Sequence, residues 1–327
     1  MKGWGMDVDR KRFLTGSCAL AAVSALSGGE MIATRNPPNA ESLPVRGHGK
    51  LSLAFAHVKA GAERPFSVLH ISDTHLTAAY PHEGICRSGK AAERTATFGG
   101  RQEESLRESI AWAKANADFI LHTGDLIDYQ SEANFDLVKK YFGTCFFGSV
   151  GNHEYYTYLP NEIREPCEQF KDCSRALLTE RLSANAYFGS RVINGVNMVW
   201  MDDAFGTVTP GLVEQFHAET KKKLPMVLAV HVPFFTPEVW RVTYRYWHQI
   251  GRRFDLTEKL GSDGDFMRQQ NDQTTCEFID YLKTEKLLKA VLAGHEHLTF
   301  EEQFSPTARQ YLIGGNYNFC GREVLFT

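Results

Sequence analysis

At 327 residues, 43% hydrophobic and 23% charged, the chain has an ordinary globular composition and enough length for one sizeable core, so a single large α/β domain is the default. Its formal charge of -3 argues against broad attraction to nucleic acid or anionic membrane. No apolar run reaches the roughly 18 residues that a membrane-spanning helix needs.

In chain order, Arg10-Lys11-Arg12 precedes a weakly apolar, Ala- and Ser-rich stretch from Leu14 to Leu26 that ends in small residues, as export signals do. The run Asp9-Arg10-Lys11-Arg12-Phe13-Leu14-Thr15 also resembles the twin-arginine export signal, with Lys11 where the second arginine usually stands. Residues 1–30 are expected to be a signal peptide, cut between Ala25 and Ala33, that delivers the chain to a periplasm or the exterior; without it the chain is expected to be cytoplasmic. Residues 31–64, rich in Pro, Gly, Asn and Ser, read as a linker or irregular cover with one strand near Leu51 to His57, and residues 65–327 as the main domain.

The first firm strand is Phe66 to Ser72. A polar stretch with Gly84, Gly89, Gly99 and Gly100 follows from His75 to Arg101 and reads as a covering loop. A helix over 101–115 sets Leu106, Ile110 and Ala113 on one face, and strand, helix and strand repeat at 119–122, 131–142 and 145–150. A polar, mostly helical insertion spans about 155–186. Strand 196–201, a helix opened by Pro210 and strand 226–230 come next, and a second insertion covers about 232–273. Helix 275–284, strand 290–293 and a tail of antiparallel strands with turns at Gly314-Gly315 and Gly321 complete a pattern of mixed sheet layered with helices.

Five strands run into metal-ligand residue types. Val68 to Ile71 leads to Asp73 and His75; Phe119 to Leu121 to Asp125 and Asp128; Phe146 to Val150 to Asn152, His153 and Glu154; Val227 to Val230 to His231; Ala290 to Ala293 to His295 and His297. The carboxyl edge of an α/β sheet is where such folds place their sites. Asp73, His75, Asp125, Asn152, His231, His295 and His297 provide two carboxylates, an amide and four imidazoles, more than one ion needs, and without thiolate they suit Mn, Fe or Zn. Two ions sharing a carboxylate would clamp both oxygens of an in-line phosphoryl displacement. By contrast His70 and His122 fall inside strands and read as hydrogen-bonded core residues.

The motifs D-x-H, G-D-x-x-D, G-N-H-E, a lone His and G-H-x-H, in this order from about Phe66 to His297, resemble the calcineurin-like metallophosphoesterase family. The resemblance implies a four-layer αββα sandwich of mixed sheets, α/β or α+β by strict class, with a bimetal site at the strand carboxyl ends. It implies that Asp73, His75 and His297 hold one metal, that Asn152, His231 and His295 hold the other, and that Asp125 bridges them. It also implies that His153 is a non-ligand histidine acting on the phosphoryl oxygen or leaving group, with Asp128 orienting it. The implied reaction is hydrolysis of a small phosphomono- or phosphodiester by in-line attack of a metal-bridging hydroxide.

Two rivals share the fold. An inactive scaffold would have lost ligands or the catalytic histidine, and a nuclease would want a basic groove. In the second insertion, Trp240, Tyr244 and Trp247 recur at helical spacing beside Arg241 and Arg245. That pattern suits either an aromatic stripe packed on the domain or a substrate wall in which arginine grips phosphate. His82 and Arg87 are a second candidate for the same role. Cys167 and Cys173, six apart, are the pair to watch for a disulfide if the chain is exported.

Overall fold

A computed structural model describes residues 45–143, 147–159, 162, 168–182, 184–250 and 272–327. The expected signal peptide, its cleavage site, Cys145 and Cys167 lie outside these residues; Cys173 is an exposed free thiol. Among the described residues no helix is long and apolar enough to cross a membrane.

Two six-stranded mixed sheets face each other. The first has the order β1 (Val45–His48), β2 (Leu51–Val58), β12 (Cys320–Phe326), β3 (Phe66–Ile71), β4 (Phe119–Thr123), β5 (Gly148–Ser149). The second runs β10 (Phe300–Gln303), β11 (Arg309–Leu312), β9 (Leu288–Ala293), β8 (Met226–Ala229), β7 (Val196–Met201), β6 (Phe188–Ile193). Val68, Leu121 and Val324 of one sheet meet Met198, Val227 and Leu292 of the other in a shared core. β8 reads as a continuous apolar run because both of its faces are covered, and β3 and β9 are broken only by Ser67 and His70 and by Lys289.

Helices seal the outer faces. On the first sheet, Leu106 and Trp112 of α2 (Gln102–Asn116), Val138 of α3 (Glu132–Phe142) and Leu178 of α4 (Glu168–Leu182) pack over Leu69 and Ile71. On the second, Phe216 of α5 (Pro210–Thr220) and Phe278 and Leu282 of α7 (Gln273–Thr284) cover Leu228 and Val291. α6 (Pro237–Gln249) sets Val239 and Val242 on Leu298, Phe300 and Leu312. The result is the four-layer αββα sandwich. Local chemistry starts these helices: Ser131, Thr209, Thr236 and Asp272 each accept an amide proton of the first turn, and Pro210 and Pro237 occupy the first helical position.

Three expectations need correction. The stretch from His75 to Arg101 is not a plain loop, because α1 occupies Ile85–Thr97. Three of the four glycines that suggested a loop mark its ends, Gly84, Gly99 and Gly100 with φ of 93°, 73° and 68°, while Gly89 lies inside the helix. β6 is an additional strand, joined to β7 at Asn194-Gly195, where φ is 46° and 83°; its exposed, polar edge hid the alternation. The tail is not simply antiparallel. β11 pairs parallel to β9, and β12 crosses to the first sheet, parallel to β2 and antiparallel to β3. Gly321 lies inside β12, paired with Leu53, rather than at a turn; a Cβ there would come within 3.0 Å of the Leu53 side chain and 3.2 Å of Leu69, which explains the glycine.

Candidate metal centre

The loops after β3, β4, β5, β8 and β9 meet at one edge of the sandwich. Asp73, His75 and His297 bring ligand atoms within 4.8 Å of one another, as do Asp125, His231 and His295; His75, Asp128 and His153 meet the same distance, with both Nδ1 atoms on Asp128 Oδ1. Asp125 Oδ2 lies between the first two groups, 3.7 Å from His75 Nε2 and 3.3 Å from His231 Nε2. Asn152 Oδ1 is 3.3 Å from His231 Nε2, and His295 Nδ1 is 3.1 Å from it. All seven residues singled out as ligand candidates therefore stand in one cluster.

Each carboxylate divides its oxygens. Asp73 Oδ2 accepts the His295 amide at 2.9 Å, and Asp125 Oδ1 accepts the His153 amide at 2.9 Å. The second oxygen of each faces the imidazoles. Such close loops need glycine: a Cβ on Gly124 would sit 2.5 Å from His231 Nδ1, and one on Gly294 would collide with Ser72 and Asp73. Backbone strain concentrates here as well. Asp73, His75, Asp125, His295 and His297 all have left-handed φ between 50° and 66°, a conformation costing non-glycine residues about 1–3 kcal/mol each.

The donor set fits transition-metal ions. Bonds of ~2.0–2.2 Å put neighbouring ligand atoms roughly 3–3.6 Å apart. His75 Nε2 and His297 Nε2 are 3.3 Å apart, and His297 Nε2 and Asp73 Oδ1 3.2 Å. Buried Asp73 Oδ1 makes no hydrogen bond even at that distance, so the lone pairs converge on a point rather than on each other. The outward ring nitrogens are occupied as ligand imidazoles require: His75 Nδ1 is 3.0 Å from Asp128 Oδ1 and His231 Nδ1 is 2.7 Å from the Thr123 carbonyl. Electrostatics agree. Burial alone would push His231 down, but neighbouring Asp125 raises it to about 10, so the cluster calls for positive charge.

His153 stands beside this cluster. Its Nδ1 donates to the Asp128 carbonyl at 2.9 Å and lies 3.1 Å from Asp128 Oδ1. Burial opposes its positive charge, yet Asp125 and Asp128 raise its pKa above the ordinary histidine value. Asp128 is fully buried, which alone would raise it; His153, Arg94 and His75 hold it well below the carboxylate range.

Four supporting residues had no role assigned from the sequence. Glu154 accepts the amides of Asp125, Ile127 and Gly151 at 2.8, 3.0 and 2.6 Å, fixing two of the site loops. Asp203, just past β7, accepts the His231 amide at 2.7 Å. Tyr317 places its hydroxyl 3.3 Å from His297 Nδ1, and Arg94 of α1 pairs with Asp128. Glu154 was visible inside G-N-H-E and Asp203 as a carboxylate at a strand end; Tyr317 and Arg94 carry no such signal.

The secondary candidates divide. Trp247 donates its indole N–H to Glu296 at 2.7 Å and lies 5.8 Å from the His297 ring, whereas Arg241 is exposed and pairs with Glu238 on its own helix. α6 thus combines the packing stripe with one aromatic at the site. His82 pairs with Glu132, and Arg87 is tied to the Gln130 carbonyl and Glu83; no bond among the described residues joins either to the cluster. His70 and His122 are buried and bonded to Thr123 and Thr74.

No curated protein sequence matches this chain. Among solved structures, a dimetal phosphatase from Danio rerio is 14% identical, with 77% of this chain and 88% of that one covered and a TM-score of 0.49. A calcineurin-like phosphoesterase from Bacillus subtilis is 10% identical (77% and 82%, TM-score 0.40). A 5′-nucleotidase from Candida albicans is 12% identical (84% of this chain, TM-score 0.38), and the match spans only 48% of that longer chain. The family model for calcineurin-like phosphoesterases matches residues 66–298, a span that takes in every strand-end motif described above, and the chain belongs to that family.

Proposed function

We propose that the chain is a metal-dependent phosphoesterase that hydrolyses a small phosphomono- or phosphodiester. The observation that carries this reading is Asp125 Oδ2 between two imidazole-carboxylate groups, the arrangement of a shared ligand to two ions. Asp73, His75 and His297 would hold one ion and Asn152, His231 and His295 the other. Bound Mn, Fe or Zn would supply Lewis-acid activation of water and neutralise charge on the phosphoryl oxygens.

The chain's own residues do the rest. His153, held by Asp128 through Nδ1, presents its remaining nitrogen to the leaving-group oxygen and donates a proton there. The intact ligand set and this histidine count against an inactive scaffold.

The test uses the full chain loaded with Mn, Fe or Zn, assayed on p-nitrophenyl phosphate, its bis-ester and cyclic nucleotides. Hydrolysis of at least one class and two ions per chain are expected, with Asp125→Ala losing both ions. A wild-type chain that carries two ions and cleaves none of these would overturn the proposal, and undiminished metal in Asp125→Ala would overturn the shared-ligand assignment.

A further inference from the structure

Helix α1 has no buried residue, yet it sends one side chain into the catalytic edge. Arg94 Nε donates to Asp128 Oδ2 at 2.7 Å and Nη2 to Asp128 Oδ1 at 2.8 Å. Oδ1 is also 3.0 Å from His75 Nδ1 and 3.1 Å from His153 Nδ1. One fully buried carboxylate therefore faces a candidate ligand, the candidate acid and a guanidinium from a surface helix. The guanidinium is itself held: it lies 4.9 Å from the Phe98 ring, which stacks on His75 at 4.2 Å, and 5.8 Å from Tyr158, whose ring is 6.5 Å from His153.

The chemistry of the pair limits its role. Two imidazole nitrogens near a single oxygen leave the carboxylate free to rotate about Cβ–Cγ, whereas a planar fork engaging both oxygens fixes its plane. That plane sets the direction in which Asp128 Oδ1 meets His153 Nδ1, 3.1 Å away, beside the Asp128 carbonyl to which the same nitrogen donates at 2.9 Å. Lysine, a point charge without a fork, could restore charge there but not orientation.

We infer that Arg94 is a positioning residue that clamps the Asp128 carboxylate so that His153 is aimed at the leaving-group oxygen, which makes α1 a working part of the site. The inference rests on the phosphoesterase reading for its consequence in catalysis and on geometry alone for the clamp.

Two measurements test it. In the metal-loaded full chain, Arg94→Gln and Arg94→Lys should lower kcat by about 10²-fold for an alkyl phosphate, the scale of a misplaced catalytic group. KM should stay within about threefold, both metals should be retained, and the loss should be far smaller for p-nitrophenyl phosphate, whose leaving group needs little proton donation. Added guanidinium ion should restore part of the activity of Arg94→Ala. In the metal-free chain, the His153 Nδ1–H proton resonance, assigned by its disappearance in His153→Gln, should be sharp in wild type and broadened in Arg94→Gln. Equal loss for both leaving groups, loss of metal, or an unchanged His153 resonance would overturn the clamp. If the wild-type chain hydrolyses nothing, the resonance still decides on Arg94 while the phosphoesterase reading falls separately.

Discussion

His153 and His75 meet the same carboxylate oxygen but differ in what surrounds their other nitrogen. His75 Nε2 points into the cluster, 3.3 Å from His297 Nε2, while the His153 side chain is 16% exposed at its edge. Exposure does not divide the two roles, since the proposed ligand His297 is also 16% exposed; metal content does. His153→Ala should keep both ions, by elemental analysis, while kcat falls by about 10²–10⁴, with a smaller fall for good leaving groups. Metal loss in that variant would make His153 a ligand instead. Glu154 shows how much a supporting residue can hold: its single carboxylate satisfies three buried amides from two loops, so the segments carrying Asp125 and Asn152 are tied by one side chain outside the proposed ligand set.

At the scale of elements, α4 reaches the site from behind. Lys171 is fully buried; its Nζ is 3.2 Å from Asp202 at the end of β7 and 2.8 Å from Glu168, and it donates to the Ala204 carbonyl at 3.2 Å. Asp202 also accepts the Tyr155 hydroxyl at 2.8 Å, two residues beyond His153. Stranding one charge of a buried pair typically costs about 3–5 kcal/mol, an upper figure here because Arg175 also reaches Asp202 at 3.3 Å, whereas replacing both partners with apolar groups can be neutral. Lys171→Leu should therefore lower the thermal midpoint sharply, and Lys171→Leu with Asp202→Leu should recover part of the loss. A single variant as stable as wild type would show that α4 is held by its apolar face alone.

Across the whole molecule, the proposed ligands join the two sheets: Asp73, His75, Asp125 and Asn152 follow strands of the first, His231, His295 and His297 strands of the second. A second tie lies deeper. Arg322 of β12, fully buried, pairs with Glu301 of β10 at 2.9 Å and donates to the Phe300 and Leu312 carbonyls. Ions bound at the sheet edge would stabilise the folded chain by mass action, about 2.7 kcal/mol at a hundredfold excess over Kd. Chelation should then lower the thermal midpoint by several degrees and added Mn or Zn should restore it. A midpoint indifferent to metal whose removal is proven by elemental analysis would count against ions held between the sheets.

The strand-end motifs were legible in the linear sequence because each lies within a few residues of an apolar run, and period and turn chemistry are local properties. So were most of the helices and a mixed sheet layered with them, which the order of elements constrains; the four-layer sandwich was implied by the family resemblance. The partners of those motifs were not. Arg94 meets Asp128 across 34 residues, Tyr317 meets His297 across 20, and Asp203 meets His231 across 28, with nothing in the adjacent sequence to select them. α1 was hidden because its inward side is made of small residues such as Ala91 in a mostly polar segment that buries no residue, and β6 because an exposed edge strand has little burial to impose alternation. The return of the chain from β11 of the second sheet to β12, which fills the slot between β2 and β3 of the first, depends on strands far away in sequence, and only the packed sheets decide that.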